Sequence, residues 1–139
     1  MALPEVIDSV LKRFKVEATT CYDPAIHILA DRERIAEVFS NLIRNSIEST
    51  DEAVKIEIET KKEKDFVKIR FADRGKGIAK EDRKRIFEPF FTTKEEGAGL
   101  GLAIVKSVLE AHQGKIEVKS RKGRGCEFII RLPLRRQDA

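Results

Sequence analysis

"NLIRNSIEST", residues 41–50, holds both asparagines of a 139-residue chain, Asn41 and Asn45, about one helical turn apart. Around them Ile35, Val38, Phe39, Leu42, Ile43, Ser46 and Ile47 recur at three- and four-residue spacing, which predicts a long helix buried along one face. Asp31 stands ahead of it as an N-cap. At roughly 100° per residue both asparagines fall on one side of the helix, with Asn45 nearest the apolar border. Side-chain carbonyls projected from a rigid helix beside a cavity suit Mg²⁺, which takes oxygen ligands and usually keeps several waters. Ordinary surface amides are the other reading of the same pair.

Upstream, "PEVIDSVLKRF" (residues 4–14) predicts a short amphipathic helix with Pro4 in its first turn, "KVEATT" a strand, and "AIHILA" an apolar, strand-like approach to Asp31. Downstream, "VKIEIET" and "DFVKIRFA" alternate apolar with charged residues on either side of "KKEK", which predicts a strand pair with one solvated face. There follow "DRGKGIA", a basic helix "KEDRKRIF", an irregular "EPFFTTKEEGAG", a helix from "LGLAIVKSVLEAH", and two strands, "KIEVKS" and "CEFIIRLP". Strands and helices mix without the strict alternation of a doubly wound sheet. The expected fold is a two-layer α/β sandwich, a mixed β-sheet with helices on one face.

Length and composition fit one domain with its own core, with hydrophobic residues at 41%. Charged residues reach 37%, yet 28 basic against 24 acidic leave only +4, and the two signs are interleaved. With no aromatic-basic platform, a nucleic-acid binder is disfavoured. Cys21 and Cys126 are too far apart in sequence for a paired metal-ligand spacing, so reduced thiols and a cytoplasmic setting are expected, with no disulfide and no zinc. The apolar run from Ala98 to Val105 is far short of a membrane span, and no signal-like segment opens the sequence. Few amides with abundant Lys, Glu, Arg and Ile match a thermophile's usage.

Glycine is placed as unevenly as asparagine: all eight lie from Gly75 onward, five of them between Gly75 and Gly101. In "DRGKG", directly after an apolar strand, Asp73 is placed to accept a hydrogen bond from a flat ligand while Gly75 and Gly77 open a turn; a plain tight turn is the alternative. In "GAGLGLAIVK", Gly97, Gly99 and Gly101 alternate directly before a helix, whose N-terminus offers unpaired N–H groups and a positive dipole end to phosphates. No Gly-Lys-Ser/Thr closes this loop, so it is not a Walker A loop, and its GxGxG spacing is not a dinucleotide fingerprint. Lys94 adds a point charge just upstream.

In this order the motifs resemble those of the GHKL ATPases, and within them the catalytic ATP-binding domain of bacterial sensor histidine kinases. "NLIRNSIES" is similar to the N-box, "DRGKGI" to the G1 box, "FEPFFTTK" to the F-box, "GAGLGL" to the G2 box and "GRGCEF" to the last glycine pair; the likeness covers roughly residues 15–134. The "FTTK" form looks closest to the nitrogen-regulator-like kinases. The resemblance implies a Bergerat-type fold over a single domain: a linker helix at 1–14, a core at 15–134 and an ATP lid at 88–99. It implies ATP and Mg²⁺ as cofactors, with Asn45 as the metal ligand and Asn41 assisting near the phosphates. Asp73 then accepts the adenine amino group, Gly75 and Gly77 shape the adenine pocket, and Gly97, Gly99 and Gly101 meet the phosphates. Phe87, Phe90 and Phe91 anchor or flank the lid, Lys94 reaches in, and Arg44, Ile78, Leu100 and Leu102 complete the motif residues along the nucleotide. The chain departs from the family pattern at Glu48 and Ser49, where many members carry a lysine and an aromatic residue, at Arg74, commonly asparagine, and at Cys126, often Thr or Ser.

Water-splitting relatives carry a glutamate one turn before the metal asparagine; here Asn41 stands there and cannot take a proton. The resemblance therefore implies slow hydrolysis and transfer of the γ-phosphoryl group to a protein, with Asn41 and Lys94 as the catalytic pair. His27 and His112 lie outside the phosphoacceptor pattern and are read as structural. The implied partners are a phosphoacceptor and dimerisation domain of the same kinase, beyond this chain, and a downstream response regulator. This piece is expected to be monomeric, its parent a homodimer, soluble or membrane-anchored. An anti-sigma-type serine kinase and a degenerate nucleotide-sensing or protein-binding module are the alternatives.

Overall fold

The computed structural model of the chain describes residues 1–23, 26–48, 53–75, 77, 80–83, 85–89, 101–120 and 125–134. Alternation sets the sheet. In β2 (Lys55–Glu63) and β3 (Phe66–Asp73), antiparallel pairing in the register Ile56↔Asp73, Ile58↔Phe71, Thr60↔Ile69 puts the apolar residues on one face and Glu57, Glu59 and Arg70 on the other. β5 (Cys126–Pro133) continues this on the far side of β3, with Phe71↔Phe128 and Asp73↔Cys126, and β4 (Lys115–Ser120) closes that edge, antiparallel to β5. β1 (Glu17–Tyr22) lies parallel to β2 at the opposite edge, so the order is β1-β2-β3-β5-β4 and the sheet is mixed. A parallel neighbour needs a crossover. Here it is α2 (Arg32–Glu48), the helix predicted around the asparagines.

Helices α1 (Leu3–Leu11), α2 and α3 (Gly101–Ala111) share a single core with the apolar face of the sheet. From α2 it receives Ile35, Val38, Phe39, Leu42 and Ile43, and from α1 Leu3, Val6, Ile7 and Val10. Phe39, Phe71 and Phe128 are its largest members. This is the two-layer α/β sandwich expected from the sequence.

The outer face of the sheet is a lattice of charges. Arg70 reaches Glu57 at 3.2 Å, Glu127 at 3.3 Å and Glu59 at 3.8 Å, and Arg131 reaches Glu117 at 2.7 Å and Glu63 at 3.9 Å. The hydrogen bond from Arg131 holds the Glu117 carboxyl below the ordinary range. Ile129 sits opposite Arg70 and Glu117 in the register and is buried on this charged face.

Helix ends are individually built. Asp31 Oδ1 accepts the N–H groups of Glu33 and Arg34 at 3.0 and 3.3 Å, the expected N-cap of α2. The Asp31 N–H in turn donates to His112 Nε2 at 3.1 Å, while His112 Nδ1 donates to the Val108 carbonyl at 2.8 Å. His112 thus ties the end of α3 to the start of α2, a structural role as expected. At the end of α3, Gln113 takes the left-handed conformation, at φ 61°. The N–H of Gln113 returns to Glu110 O at 2.9 Å and that of Gly114 to Leu109 O at 2.7 Å, a Schellman closure. Glycine occupies position 114, not 113, because a Cβ there would stand 2.7 Å from the Arg131 carbonyl oxygen.

Two expectations are corrected. "AIHILA" forms no strand over its described residues, 26–30: His27 makes one isolated bridge, to Ala2, although Ile26 and Ile28 point inward as alternation requires. The short segment beside it offers only that bridge, so the alternation places side chains without building a ladder. The basic segment "KEDRKRIF" is not an α-helix in its described residues, which form a 3₁₀ turn at Lys80–Asp82 followed by further turns. Six of its eight residues are charged, and only Ile86 and Phe87 have a core to enter, too few for an amphipathic face to stabilise so short a helix.

Candidate functional site

Asp73 ends β3 on the core face and is 8% exposed, an ionisable group held inside by donors from three directions. The Ser46 hydroxyl of α2 donates to its Oδ2 at 2.7 Å, and the N–H groups of Gly75 and Cys126 donate to Oδ1 at 3.0 and 3.2 Å. A carboxylate has about four acceptor positions. The described donors leave one, on Oδ2.

The loop that brings Cys126 to Asp73 depends on Gly125. Its φ is +91°, and a Cβ there would lie 2.1 Å from the Asp73 carbonyl oxygen and 3.0 Å from Arg74 Cα. Only a residue without a side chain lets the start of β5 approach the end of β3 this closely. Gly77 also adopts a positive φ, 73°, in the turn that follows Asp73. Arg74 points outward and lies 3.8 Å from Glu57.

One turn before Asn45, the half-buried Asn41 donates its Nδ2 to the Glu37 carbonyl at 3.0 Å. That leaves Oδ1 facing the first residue of α3, where a Cβ on Gly101 would stand 3.3 Å from it. The amide oxygen of α2 and the first described turn of α3, the positive end of that helix's dipole, thus meet at one place. Asn45 is half-buried one turn further along α2, and Ser46 follows it, pointing to Asp73. The three residues form a line from the α3 N-terminus to the end of β3.

Other predicted residues stand elsewhere. The Arg44 guanidinium lies over the Phe14 ring, 5.8 Å from its centroid, and so is stacked toward the segment after α1. Phe87 packs edge-on against Phe128 of β5, centroids 6.4 Å apart at 68°, with Lys106 Nζ 5.9 Å from its ring centre. This anchors the start of the segment assigned to the lid. Leu102 packs against the core. Ile78, Phe90, Phe91, Lys94, Gly97, Gly99 and Leu100, and with them positions 90–99 of the expected lid, lie outside the described residues, as does Ser49.

Sequence reasoning passed over Ser46 and Glu37. Ser46 belongs to the buried stripe of α2, from which Ile47 is the exception at 38% exposed, and a hydroxyl among aliphatic residues in that stripe is the usable signal. The Glu37 carboxylate is engaged by Arg34 at 3.2 Å. Cys126 is buried in β5 and Cys21 exposed, and neither is in a disulfide. Among the described residues no three His, Cys, Asp or Glu gather as a metal cluster, and no helix is long and apolar enough to cross a membrane.

A mixed five-stranded sheet under three helices, with a buried aspartate at one strand end and Asn41 facing the first residue of α3, is an α/β arrangement shared with known proteins. The chain belongs to the histidine kinase-, DNA gyrase B- and HSP90-like ATPase family, whose model matches residues 30–136. It is 45% identical over 114 residues to the sensor histidine kinase ZraS of Salmonella typhimurium, covering 80% of this chain and 24% of that protein. To sporulation kinase A of Bacillus subtilis it is 38% identical over 109 residues, covering 78% of this chain and 18% of that protein. The chain thus spans about a quarter or less of these relatives. Among solved structures it is similar to the mycobacterial sensor histidine kinase MprB (TM-score 0.88, 26% identity, 97% of this chain and 96% of that one). It is also similar to the nucleotide-free catalytic domain of histidine kinase ThkA (TM-score 0.83, 34% identity, 96% and 93%). Full-length ShkA, solved in complex with AMPPNP, superposes with a TM-score of 0.85 at 29% identity, over 96% of this chain and 30% of that one.

Proposed function

We propose that this chain binds ATP with Mg²⁺ and donates the γ-phosphoryl group to a histidine on a separate phosphoacceptor and dimerisation domain, as the catalytic domain of a two-component sensor kinase. The observation that carries this reading is the line Asn41, Asn45, Ser46 on α2, running from the start of α3 to the buried Asp73. The AMPPNP complex of the structurally similar ShkA supports a triphosphate ligand.

Asp73 accepts the base amino group at its remaining Oδ2 position, with Gly75 and Gly77 shaping the backbone beside it. The α3 N-terminus, from Gly101, takes phosphate oxygens at the positive end of the helix dipole. Gly97, Gly99, Leu100 and Lys94 are assigned to the phosphate side, Ile78 to the base side, and Phe87 holds the lid's root. The donor set suits Mg²⁺: amide oxygens with no carboxylate cage leave the charge to the phosphates and room for water. Asn45 would hold the ion, with Asn41 assisting, and the ion would neutralise phosphate charge during transfer. One turn before Asn45 stands the Asn41 amide, which cannot take a proton from water, and Glu37, a further turn away, pairs with Arg34. His112 has both ring nitrogens engaged, which leaves it no place as the acceptor. The domain works in the cytoplasm, where ATP is, as a monomeric piece of a homodimeric phosphoprotein that passes the group on to a response regulator. The charge lattice on the outer sheet face suits a protein from a thermophile.

The test is incubation with γ-labelled ATP. The chain alone is expected to acquire no label, and a separately expressed histidine dimerisation domain is expected to become labelled on its histidine when added. Self-labelling of the chain, or no transfer to any such domain, contradicts the reading.

A further inference from the structure

We infer that Ser46 is a positioning residue for base recognition, its hydroxyl fixing the Asp73 carboxylate so that the acceptor position left on Oδ2 meets the amino group of the base. This rests on the proposed nucleotide reading and gives Ser46 a role of its own within it.

Oδ1 of Asp73 is filled by two backbone donors, Gly75 N–H at 3.0 Å from the turn after β3 and Cys126 N–H at 3.2 Å from the first residue of β5. Those two bonds hold one oxygen and leave the rotation about Cβ–Cγ to be settled by the other. Ser46 settles it from α2, 27 positions away in sequence, through a buried 2.7 Å bond. The same helix carries Asn41 and Asn45, so the Ser46–Asp73 bond also sets the distance between the group that reads the base and the groups that face the phosphates. The single hydrogen of the hydroxyl is spent on the carboxylate. Toward a ligand the pair therefore offers an acceptor, which suits a base edge that donates and repels one that presents a keto oxygen.

A merely structural Ser46 would satisfy a buried carboxylate and nothing more. The two roles separate in a cycle that pairs Ser46→Ala with removal of the partner group on the ligand. Calorimetric affinities are measured for ATP and for purine riboside 5′-triphosphate, which lacks the 6-amino group, on the unmodified chain, Ser46→Ala and Ser46→Cys, with the fold of each checked by circular dichroism. Ser46→Ala is expected to weaken ATP about tenfold while changing the deaminated analogue by less than about twofold. Ser46→Cys, which keeps a weaker donor, is expected in between and decides the matter if Ser46→Ala does not fold. Equal weakening of both nucleotides, or none of either, overturns the inference and leaves nucleotide binding standing. Equal affinity of the unmodified chain for the two nucleotides does the same. Failure of the unmodified chain to bind either overturns the inference together with the proposed function.

Discussion

Asp73→Asn is expected to leave a folded protein that has lost ATP affinity by about 100-fold. The substitution keeps one carbonyl oxygen and exchanges the other for an NH₂ group. The oxygen is best placed where Oδ1 now stands, because the N–H groups of Gly75 and Cys126 are backbone donors that cannot turn away. The NH₂ then falls at Oδ2, where the Ser46 hydroxyl can rotate and accept from it. All three local partners remain satisfied, so the stability loss is small, about 1 kcal/mol. Toward the ligand, however, an acceptor has become a donor, and it faces the donating amino group of the base. Asp73→Ala differs in kind: three donors lose their acceptor in a buried site, and a loss of roughly 3–5 kcal/mol is expected. Thermal unfolding alongside nucleotide titration separates the two. If Asp73→Asn bound ATP normally, Asp73 would be a structural anchor only.

Gly125→Ala is expected to destabilise the protein by about 3 kcal/mol or more, lowering the melting temperature by roughly 10 °C. Two effects add. The backbone at φ +91° is one that a residue with a Cβ adopts at a penalty of about 1 kcal/mol. The new Cβ would also meet the Asp73 carbonyl oxygen at 2.1 Å, an impossible contact with a backbone atom that cannot swing aside. Relief requires the start of β5 to move away from the end of β3, and the Cys126 N–H moves with it, so nucleotide affinity falls as well. A Gly125→Ala protein as stable as the parent would mean that the β5 entry does not hold the geometry described.

Most of the fold was legible because its determinants are local. The three- and four-residue spacing in α2, with Asp31 as cap, and the strict alternation in β2 and β3 each specify an element without reference to the rest of the chain. The boundary at "KKEK" was less so. Lys61, Lys62 and Glu63 extend β2, and the turn is confined to Lys64 and Asp65, since charged residues sit as well on a solvated strand face as in a loop. "AIHILA" shows the converse: alternation describes where side chains point, but a ladder needs a neighbouring strand, and only Ala2 was there.

For the site, the asparagines and glycines were visible because their scarcity and clustering are properties of the sequence itself. The engagement of Ser46 was not, because its meaning depends on Asp73, which only the fold brings to it. Likewise the contacts of Arg44 with Phe14 and of Phe87 with Phe128 join residues distant in sequence, and the motifs alone say nothing of them.

Calorimetric titration of the chain with ATP, with and without Mg²⁺ and with release of ADP followed in the same sample, tests the central claim most directly. The account predicts metal-assisted binding with almost no turnover, and loss of the metal-dependent part of the affinity in a still-folded Asn45→Ala. Absence of binding, or brisk release of ADP with no histidine domain present, would contradict it.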